Sequence, residues 1–93
     1  MKVDLSIIIL NYNTKQLTID AVSSIEKNYQ NDVKSGNFEV IVTDNKSPDG
    51  SLESFNSYAK STKIKSFHIV DNGGNVGFSK GNKNYPFIAC IRD

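Results

Sequence analysis

The sequence predicts an α/β fold, a three-layer Rossmann-like arrangement of helices on a parallel sheet. Two short runs of branched apolar residues, at 5–10 and 38–43, have the composition of strands that are buried on both faces. A polar loop and then an amphipathic segment follow each run. This alternation is typical of right-handed βαβ units, which place consecutive strands side by side and parallel.

The first βαβ unit begins with the strand at 5–10. Thr14 is a candidate N-cap for the helix that follows. Apolar residues recur at every fourth position from Leu17 to Tyr29, which predicts a helix lying on a sheet. Residues 30–37 are polar and include Gly36, so the sequence predicts a loop before the second strand.

The second unit begins with the strand at 38–43 and continues through a turn-rich segment, 44–50. Ser51 or Asp49 can cap a helix that extends to residue 61. The rest of the chain is predicted to form a third strand, a glycine-rich loop, one or two helical turns and a fourth short strand, at residues 64–70, 71–77, 78–84 and 87–91.

Composition indicates one small globular domain over residues 1–93. The net charge of +1 gives no basic field of the kind that binds nucleic acid. Cys90 is the only cysteine, which excludes an internal disulfide and fits a reducing compartment. The apolar run at 5–10 is too short for a signal peptide or a membrane span, so we expect a cytoplasmic protein.

Three polar loops, at 11–14, 44–51 and 71–77, follow predicted strands. In open parallel sheets, ligands bind beyond the carboxyl ends of the strands, where these loops would meet. Their Asn, Asp, Ser and Gly residues offer hydrogen bonds to sugar hydroxyls, to a base edge and to phosphate oxygens. Each loop taken alone is equally explained as a turn.

Individual side chains in these loops have two interpretations. Asp44 could accept hydrogen bonds from a ribose or a base, or could bond its own downstream backbone. Asp49 is explained by helix capping, and Lys80 either meets a phosphate or is solvated. His68 is expected to be a core or surface histidine, because no second ligand-type residue lies near it in sequence.

Three segments carry a family resemblance: Ser6–Asn13, Val42–Ser51 and Asn75–Asn82. In this order and spacing they resemble the opening signatures of family-2 glycosyltransferases. The Asn-Tyr-Asn sequence and the later Gly-Phe-x-x-Gly-Asn are similar to those of rhamnosyltransferase-like enzymes of surface-polysaccharide assembly. The resemblance covers residues 2–84.

The resemblance implies a GT-A fold, of which this chain is the nucleotide-binding half. It also implies hexosyl transfer from a nucleoside-diphosphate sugar to a saccharide or lipid-linked acceptor, at the cytoplasmic membrane face in full-length members. The nucleotide-sugar site would consist of Asn11, Tyr12, Asp44, Asn75, Gly77 and Lys80. The first two would line the base pocket and Asp44 would bond the base or ribose. The last three would surround the donor, with Lys80 facing the diphosphate.

The family's divalent cation, magnesium or manganese, has no identifiable ligands in this sequence, and no catalytic base can be assigned. Gly81–Pro86 interrupts the helix that continues in the family. Residues 87–93 are consistent with a substitute fourth strand, which would place Asp93 near the metal motif, or with frame-shifted sequence. We therefore expect a truncated domain that is inactive alone and that self-associates through an uncovered sheet edge or apolar face.

Two other functions are compatible with the same pattern. A small nucleotide-binding module or pseudoenzyme would use the same loops without transferring sugar. A response-regulator receiver would share the fold, but it requires a cluster of acids after the first strand, where this chain has Asn11, Tyr12 and Asn13. The sequence leaves open the sugar, the base, the acceptor and the oligomeric state.

Overall fold

A computed structural model describes residues 3–71 and the backbone of residues 87–92. Within these ranges the chain forms, in order, β1 (Leu5–Asn11), α1 (Lys15–Asn28), α2 (Gln30–Ser35), β2 (Phe38–Asp44), α3 (Ser51–Ser61), β3 (Ser66–Asp71) and β4 (Phe87–Arg92). α1 has 14 residues and an amphipathic sequence. None of the described helices has the length and apolar character needed to cross a bilayer.

The strands form one sheet in the order β3-β2-β1-β4. β1 is parallel to β2 and β2 is parallel to β3, which confirms the predicted α/β sheet of three parallel strands. β4 runs antiparallel to β1, with Phe87 opposite Leu10 and Arg92 opposite Leu5, so the complete sheet is mixed. β4 begins beside Leu10, at the carboxyl end of β1, whereas a strand parallel to β1 would begin beside Leu5. The helical turns predicted at 78–84 lie outside the described residues.

The segment at 30–37 departs from the loop prediction, because most of it forms α2. Val33 is fully buried in the core, and its N–H donates to the Tyr29 carbonyl at 3.0 Å. Gly36 ends the helix in the left-handed region, at φ 87°. One buried apolar side chain therefore holds a short helix whose other residues are polar.

The core lies between the helices and one face of the sheet. Val22, Val33 and Phe55, from α1, α2 and α3 respectively, join one buried cluster with alternate residues of the two central strands. Those strand residues are Ile7, Ile9, Val40 and Val42. The helices among the described residues therefore share one face of the sheet. The third layer that the sequence predicted is not found within 3–71 and 87–92.

The other face of the sheet carries a polar group near the amino ends of the strands. Glu39 accepts a hydrogen bond from the Ser6 hydroxyl at 2.7 Å, and its second carboxylate oxygen lies 3.3 Å from His68 Nε2. The His68 side chain is 54% exposed, so it is a surface histidine, one of the two predicted environments.

Candidate functional site

The three parallel strands β1, β2 and β3 end on the same side of the sheet, which we call the carboxyl edge. Their last residues lie in one row. Asn11 is the register partner of Asp44, and Asp44 is the register partner of Asp71. A parallel register places these residues next to one another across the sheet. The structure therefore brings together Asn11 and Asp44, two of the six predicted site residues, and places the third, Tyr12, directly after Asn11 in the first loop.

Asn11 is the centre of a buried polar network. Its side chain is fully buried, and its amide nitrogen donates to Asp44 Oδ1 at 2.8 Å and to Ser47 Oγ at 3.0 Å. Its amide oxygen accepts from the hydroxyls of Thr14 at 2.9 Å and Thr18 at 2.7 Å. All four hydrogen-bonding positions of the amide are used, which fixes its orientation. Thr14 occupies the N-cap position of α1 as predicted, but its hydroxyl donates to Asn11 and makes no capping bond to the helix backbone.

The Asp44 carboxylate is 1% exposed and already bonded within the protein. Oδ1 accepts from Asn11 and from the Ser47 hydroxyl, and Oδ2 accepts from the Ser47 backbone N–H at 3.1 Å. Of the two roles predicted for Asp44, the structure therefore displays bonding to its own downstream loop.

Ser47 joins the loops that follow β1 and β2. Its hydroxyl donates to Asp44 Oδ1 at 2.5 Å and accepts from Asn11 Nδ2 and from the Asn13 backbone N–H at 2.9 Å. A backbone bond of 2.9 Å from Asn45 to the Asn11 carbonyl reinforces this junction. Ser47 was not among the predicted site residues. Its position three residues after a strand-terminal Asp was the available signal, because that spacing suits an Asp-capped turn.

Asp49 bridges the first residues of α1 and α3. One carboxylate oxygen accepts from the Lys15 N–H at 3.1 Å, and the other accepts from the Ser51 N–H at 3.1 Å and from the Ser51 hydroxyl. Gly50, at φ 77°, occupies the N-cap position of α3. Asp49 lies one residue before Gly50 and supplies the predicted capping from there, through its bond with the Ser51 N–H. Lys15 Nζ also donates to the Asp49 carbonyl at 3.1 Å.

The Asp49 carboxylate is stabilised in its charged form. Burial alone would raise its pKa, but the hydrogen bonds from the Ser51 hydroxyl and from the Lys15 and Ser51 N–H groups together lower the pKa below its ordinary value. The partial positive charge at two helix N-termini favours the same ionised state. Asp49 is therefore an anion at neutral pH.

Two non-glycine residues in these loops adopt left-handed backbone conformations. Asn13 has φ 55° and Lys46 has φ 58°. Asparagine tolerates this region, whereas a lysine there costs about 1 kcal/mol relative to an ordinary backbone conformation. The hydrogen bonds around Ser47 hold both loops in these conformations.

A shallow cleft of about 350 Å³ lies beside the network. It is lined by Asn13, Thr14, Lys15, Gln16, Leu17 and Asp49. Leu17 is 45% exposed, although the sequence predicted it for the inner face of α1, and Tyr12 is half-buried at the preceding loop. The cleft therefore combines polar backbone and side-chain groups with one apolar side chain. Asn75, Gly77 and Lys80 lie outside the described residues.

The carboxylates of Asp44 and Asp49 do not fit a divalent cation. Asp44 and Asp49 direct their oxygens at N–H and O–H donors, whereas magnesium and manganese require several free oxygen ligands. Among the described side chains, no group of three or more His, Cys, Asp or Glu residues could hold a metal ion. Asp93 lies outside the described residues.

The family model for glycosyl transferase family 2 matches residues 6–84. That range includes both loops of the buried network. No curated protein and no solved structure matches the chain significantly.

Proposed function

The chain belongs to glycosyl transferase family 2, and on this basis we propose that its carboxyl edge binds the nucleotide of a nucleoside-diphosphate sugar. The observation that carries the proposal is the buried network joining the loops after β1 and β2. It joins the loop that carries Tyr12 and Asn13 to the loop that follows Asp44 without help from a ligand. A site formed in advance loses less free energy to loop ordering when a nucleotide binds.

Asp44 retains capacity for a ligand. A carboxylate has about four acceptor positions, and the described residues fill two on Oδ1 and one on Oδ2. The remaining position on Oδ2 suits an N–H group of a base or a hydroxyl of a ribose. Because the residue is 1% exposed, a covering group has to move aside for this bond to form. Asn11 acts through Asp44, and Tyr12 contributes an aromatic face to the base.

The finer assignment rests on sequence motifs. We propose a rhamnosyltransferase-like, hexosyl-transferring enzyme type that acts on a saccharide or lipid-linked acceptor in surface-polysaccharide assembly. Asn11-Tyr12-Asn13 and the Gly77-Phe-x-x-Gly-Asn82 sequence support it. In this proposal Asn75, Gly77 and Lys80 surround the donor, and Lys80 faces the diphosphate.

We further propose that the 93-residue chain binds nucleotide without transferring sugar. A general base needs an accessible carboxylate or imidazole whose pKa lies near the working pH. Asp44 is buried and engaged, and hydrogen bonding lowers the pKa of Asp49. Neither of these two carboxylates is suited to deprotonating an acceptor hydroxyl, which leaves Asp71, the exposed register partner of Asp44, as the described acid at this edge that a turnover assay tests.

Calorimetric titration with uridine and thymidine diphosphates tests nucleotide binding. We expect Asp44→Ala to weaken binding by about 1–3 kcal/mol, the range for losing a hydrogen bond to a charged group. Asp4→Ala removes the same charge from an exposed position at the amino end of β1 and should leave the affinity unchanged. Equal affinity of Asp44→Ala and the unmodified chain for both nucleotides would contradict the proposal.

The alternative function is a nucleotide-binding module or pseudoenzyme, which would bind nucleotide but would not transfer sugar. Release of nucleoside diphosphate from UDP-, dTDP- and GDP-sugars, with acceptors and either magnesium or manganese present, separates the two. Metal-dependent turnover by the 93-residue chain would show that the inactivity proposed for it is wrong. Activity only in a longer chain containing this domain would support the family function.

Self-association through β3 is a separate proposal. β3 ends the strand order and pairs with β2, and no described strand pairs with its other side. Val70 on this strand is 42% exposed, and exposed edges with apolar residues favour pairing between copies. Light scattering should show dimers that Val70→Lys disrupts, whereas a monodisperse monomer at high concentration would oppose the proposal.

A further inference from the structure

We propose that Ser47 is a positioning residue that fixes the Tyr12 loop against Asp44 and so sets the geometry of the nucleotide pocket. The inference rests on the nucleotide-binding function proposed above. Ser47 touches no reacting group in this proposal, and its effect reaches the nucleotide through the two loops that it joins.

The Ser47 hydroxyl connects three groups that come from both loops. It donates to Asp44 Oδ1 and accepts from the Asn13 backbone N–H and from Asn11 Nδ2. A hydroxyl has one donor and two acceptor positions, so all three are used. Alanine in its place would leave Asn13 N–H without this acceptor and Asp44 without this donor, whereas threonine keeps all three functions.

The backbone conformations on both sides of this hydrogen bond explain why the Ser47 hydroxyl affects the Tyr12 loop. The residue that donates to Ser47, Asn13, has a left-handed backbone, as does Lys46 immediately before Ser47. Such conformations persist when the surrounding contacts impose them. Tyr12 lies between Asn11 and Asn13, both of which are bonded to the same hydroxyl. Losing the hydroxyl therefore frees the segment that carries the Tyr12 ring.

Ser6 provides a matched control at the opposite end of the sheet. Its hydroxyl donates to Glu39 at 2.7 Å in a half-buried environment, similar to the bond from Ser47 to Asp44. Ser6→Ala removes a serine–carboxylate bond without altering either loop. A purely structural effect of serine removal would appear in both variants.

The experiment measures binding of uridine and thymidine diphosphates by calorimetry and stability by urea unfolding. We expect Ser47→Ala to lower the affinity about tenfold, as for a lost hydrogen bond to a charged group. Ser47→Thr should restore most of the affinity, and Ser6→Ala should bind like the unmodified chain. Amide hydrogen exchange should show that Ser47→Ala loses protection at Asn13 but keeps it in the core of β1.

Two results would overturn the inference. One is unchanged affinity in Ser47→Ala, and the other is an equal loss of affinity in Ser6→Ala at a similar loss of stability. If Ser47→Ala does not fold, Ser47→Cys replaces it, because a thiol is a weaker donor and acceptor; affinity equal to that of serine would then refute the role. If the unmodified chain binds nucleotide and Ser47→Ala binds it equally well, the proposed nucleotide-binding function stands and only the role of Ser47 is refuted. If the unmodified chain does not bind nucleotide, both the proposed function and the role of Ser47 are refuted.

Discussion

Carboxylates at the two ends of the helical layer hold their neighbours in different ways. At the carboxyl edge, Asp44 bonds to groups in irregular loops, and Asp49 bonds to the first residues of α1 and α3. At the opposite end, Glu26 in the last turns of α1 accepts from the Tyr58 hydroxyl of α3 at 2.9 Å and from the Thr62 hydroxyl. The first arrangement sets the shape of loops, while the second ties together helices whose own hydrogen bonds already define them.

The surroundings of the two ends differ as well. Glu26 lies at a cleft of about 360 Å³ whose rim carries Lys27, Lys34 and Lys63, all of them exposed. Asn11 and Asp44 are almost completely buried. A buried network gains strength from its low dielectric surroundings and is costly to leave half-satisfied, whereas solvent replaces bonds lost at the surface. The carboxyl edge should therefore be much more sensitive to substitution.

Asn11→Leu should have the largest effect on the free energy of unfolding. It removes four hydrogen bonds, three of them to the buried residues Asp44, Thr14 and Thr18, so we expect a loss of about 3 kcal/mol or more in urea unfolding. Asn28→Ala, at an exposed position near the other end, should cost little. A loss below about 1 kcal/mol for Asn11→Leu would show that the network is not tightly coupled.

Matched threonine-to-valine substitutions sharpen the comparison. Thr18→Val keeps the shape of a fully buried side chain but removes its bond to Asn11, and should lower the free energy of unfolding by about 1–2 kcal/mol. Thr62→Val removes a bond to Glu26 in a half-exposed setting and should cost less. If both substitutions lower the free energy of unfolding equally in thermal unfolding, the two ends of the helical layer do not differ in sensitivity.

Acid should weaken both ends by the same mechanism. For Glu26, burial raises the pKa, but bonds from Thr62 and Tyr58 and the charge of Lys63 outweigh it, so the pKa of Glu26, like that of Asp49, lies below its ordinary value. A carboxylate whose pKa is lowered by folding stabilises the protein above its unfolded-state pKa, and that stability is lost as the pH falls through the folded-state pKa.

The unfolding midpoint in urea should therefore fall as the pH is lowered from about 5, through the ordinary carboxyl range. Asp49→Asn and Glu26→Gln should each flatten that dependence. A profile that neither substitution changes would assign the acid sensitivity to other carboxyl groups.

Tyr58→Phe should have the smallest effect. It removes the hydroxyl bond to Glu26 while keeping the ring contact with Phe67, whose centroid lies 5.7 Å away. We expect a loss of about 0.5–1 kcal/mol in stability and no change in nucleotide affinity. A change in affinity would couple the far end of the helical layer to the carboxyl edge.

The elements with clear periodicity were predictable from sequence, and those fixed by tertiary contacts were not. The apolar runs predicted β1 and β2, and strand-end positions predicted that Asn11 and Asp44 meet. α2 was missed because only Val33 among its six residues is buried. The direction of β4 depends on the end of the sheet at which the strand begins, which local sequence does not encode.

The residues of the candidate site also divide into those that were predictable from sequence and those whose role depends on tertiary contacts. Asp44 was identifiable because it directly follows the apolar run at 38–43, and it forms the last residue of β2. Ser47 was not, because its importance lies in bonds to Asn11 and Asn13, more than 30 residues away. Asp49 was predicted as a cap for one helix, but its second bond, to Lys15, depends on how two βαβ units pack together.

The position of Asp49 affects how well the N-termini of α1 and α3 can bind an anion. The N-terminus of a helix is a common receptor for phosphate, as in dinucleotide-binding folds. Here an internal carboxylate takes the N–H groups of Lys15 and Ser51, so the leading ends of α1 and α3 are already neutralised. A diphosphate approaching them would meet a negative charge where other folds offer an attractive dipole. Recognition at these two loops should consequently favour the nucleoside end of the donor, and uridine or thymidine should retain much of the binding shown by the diphosphates.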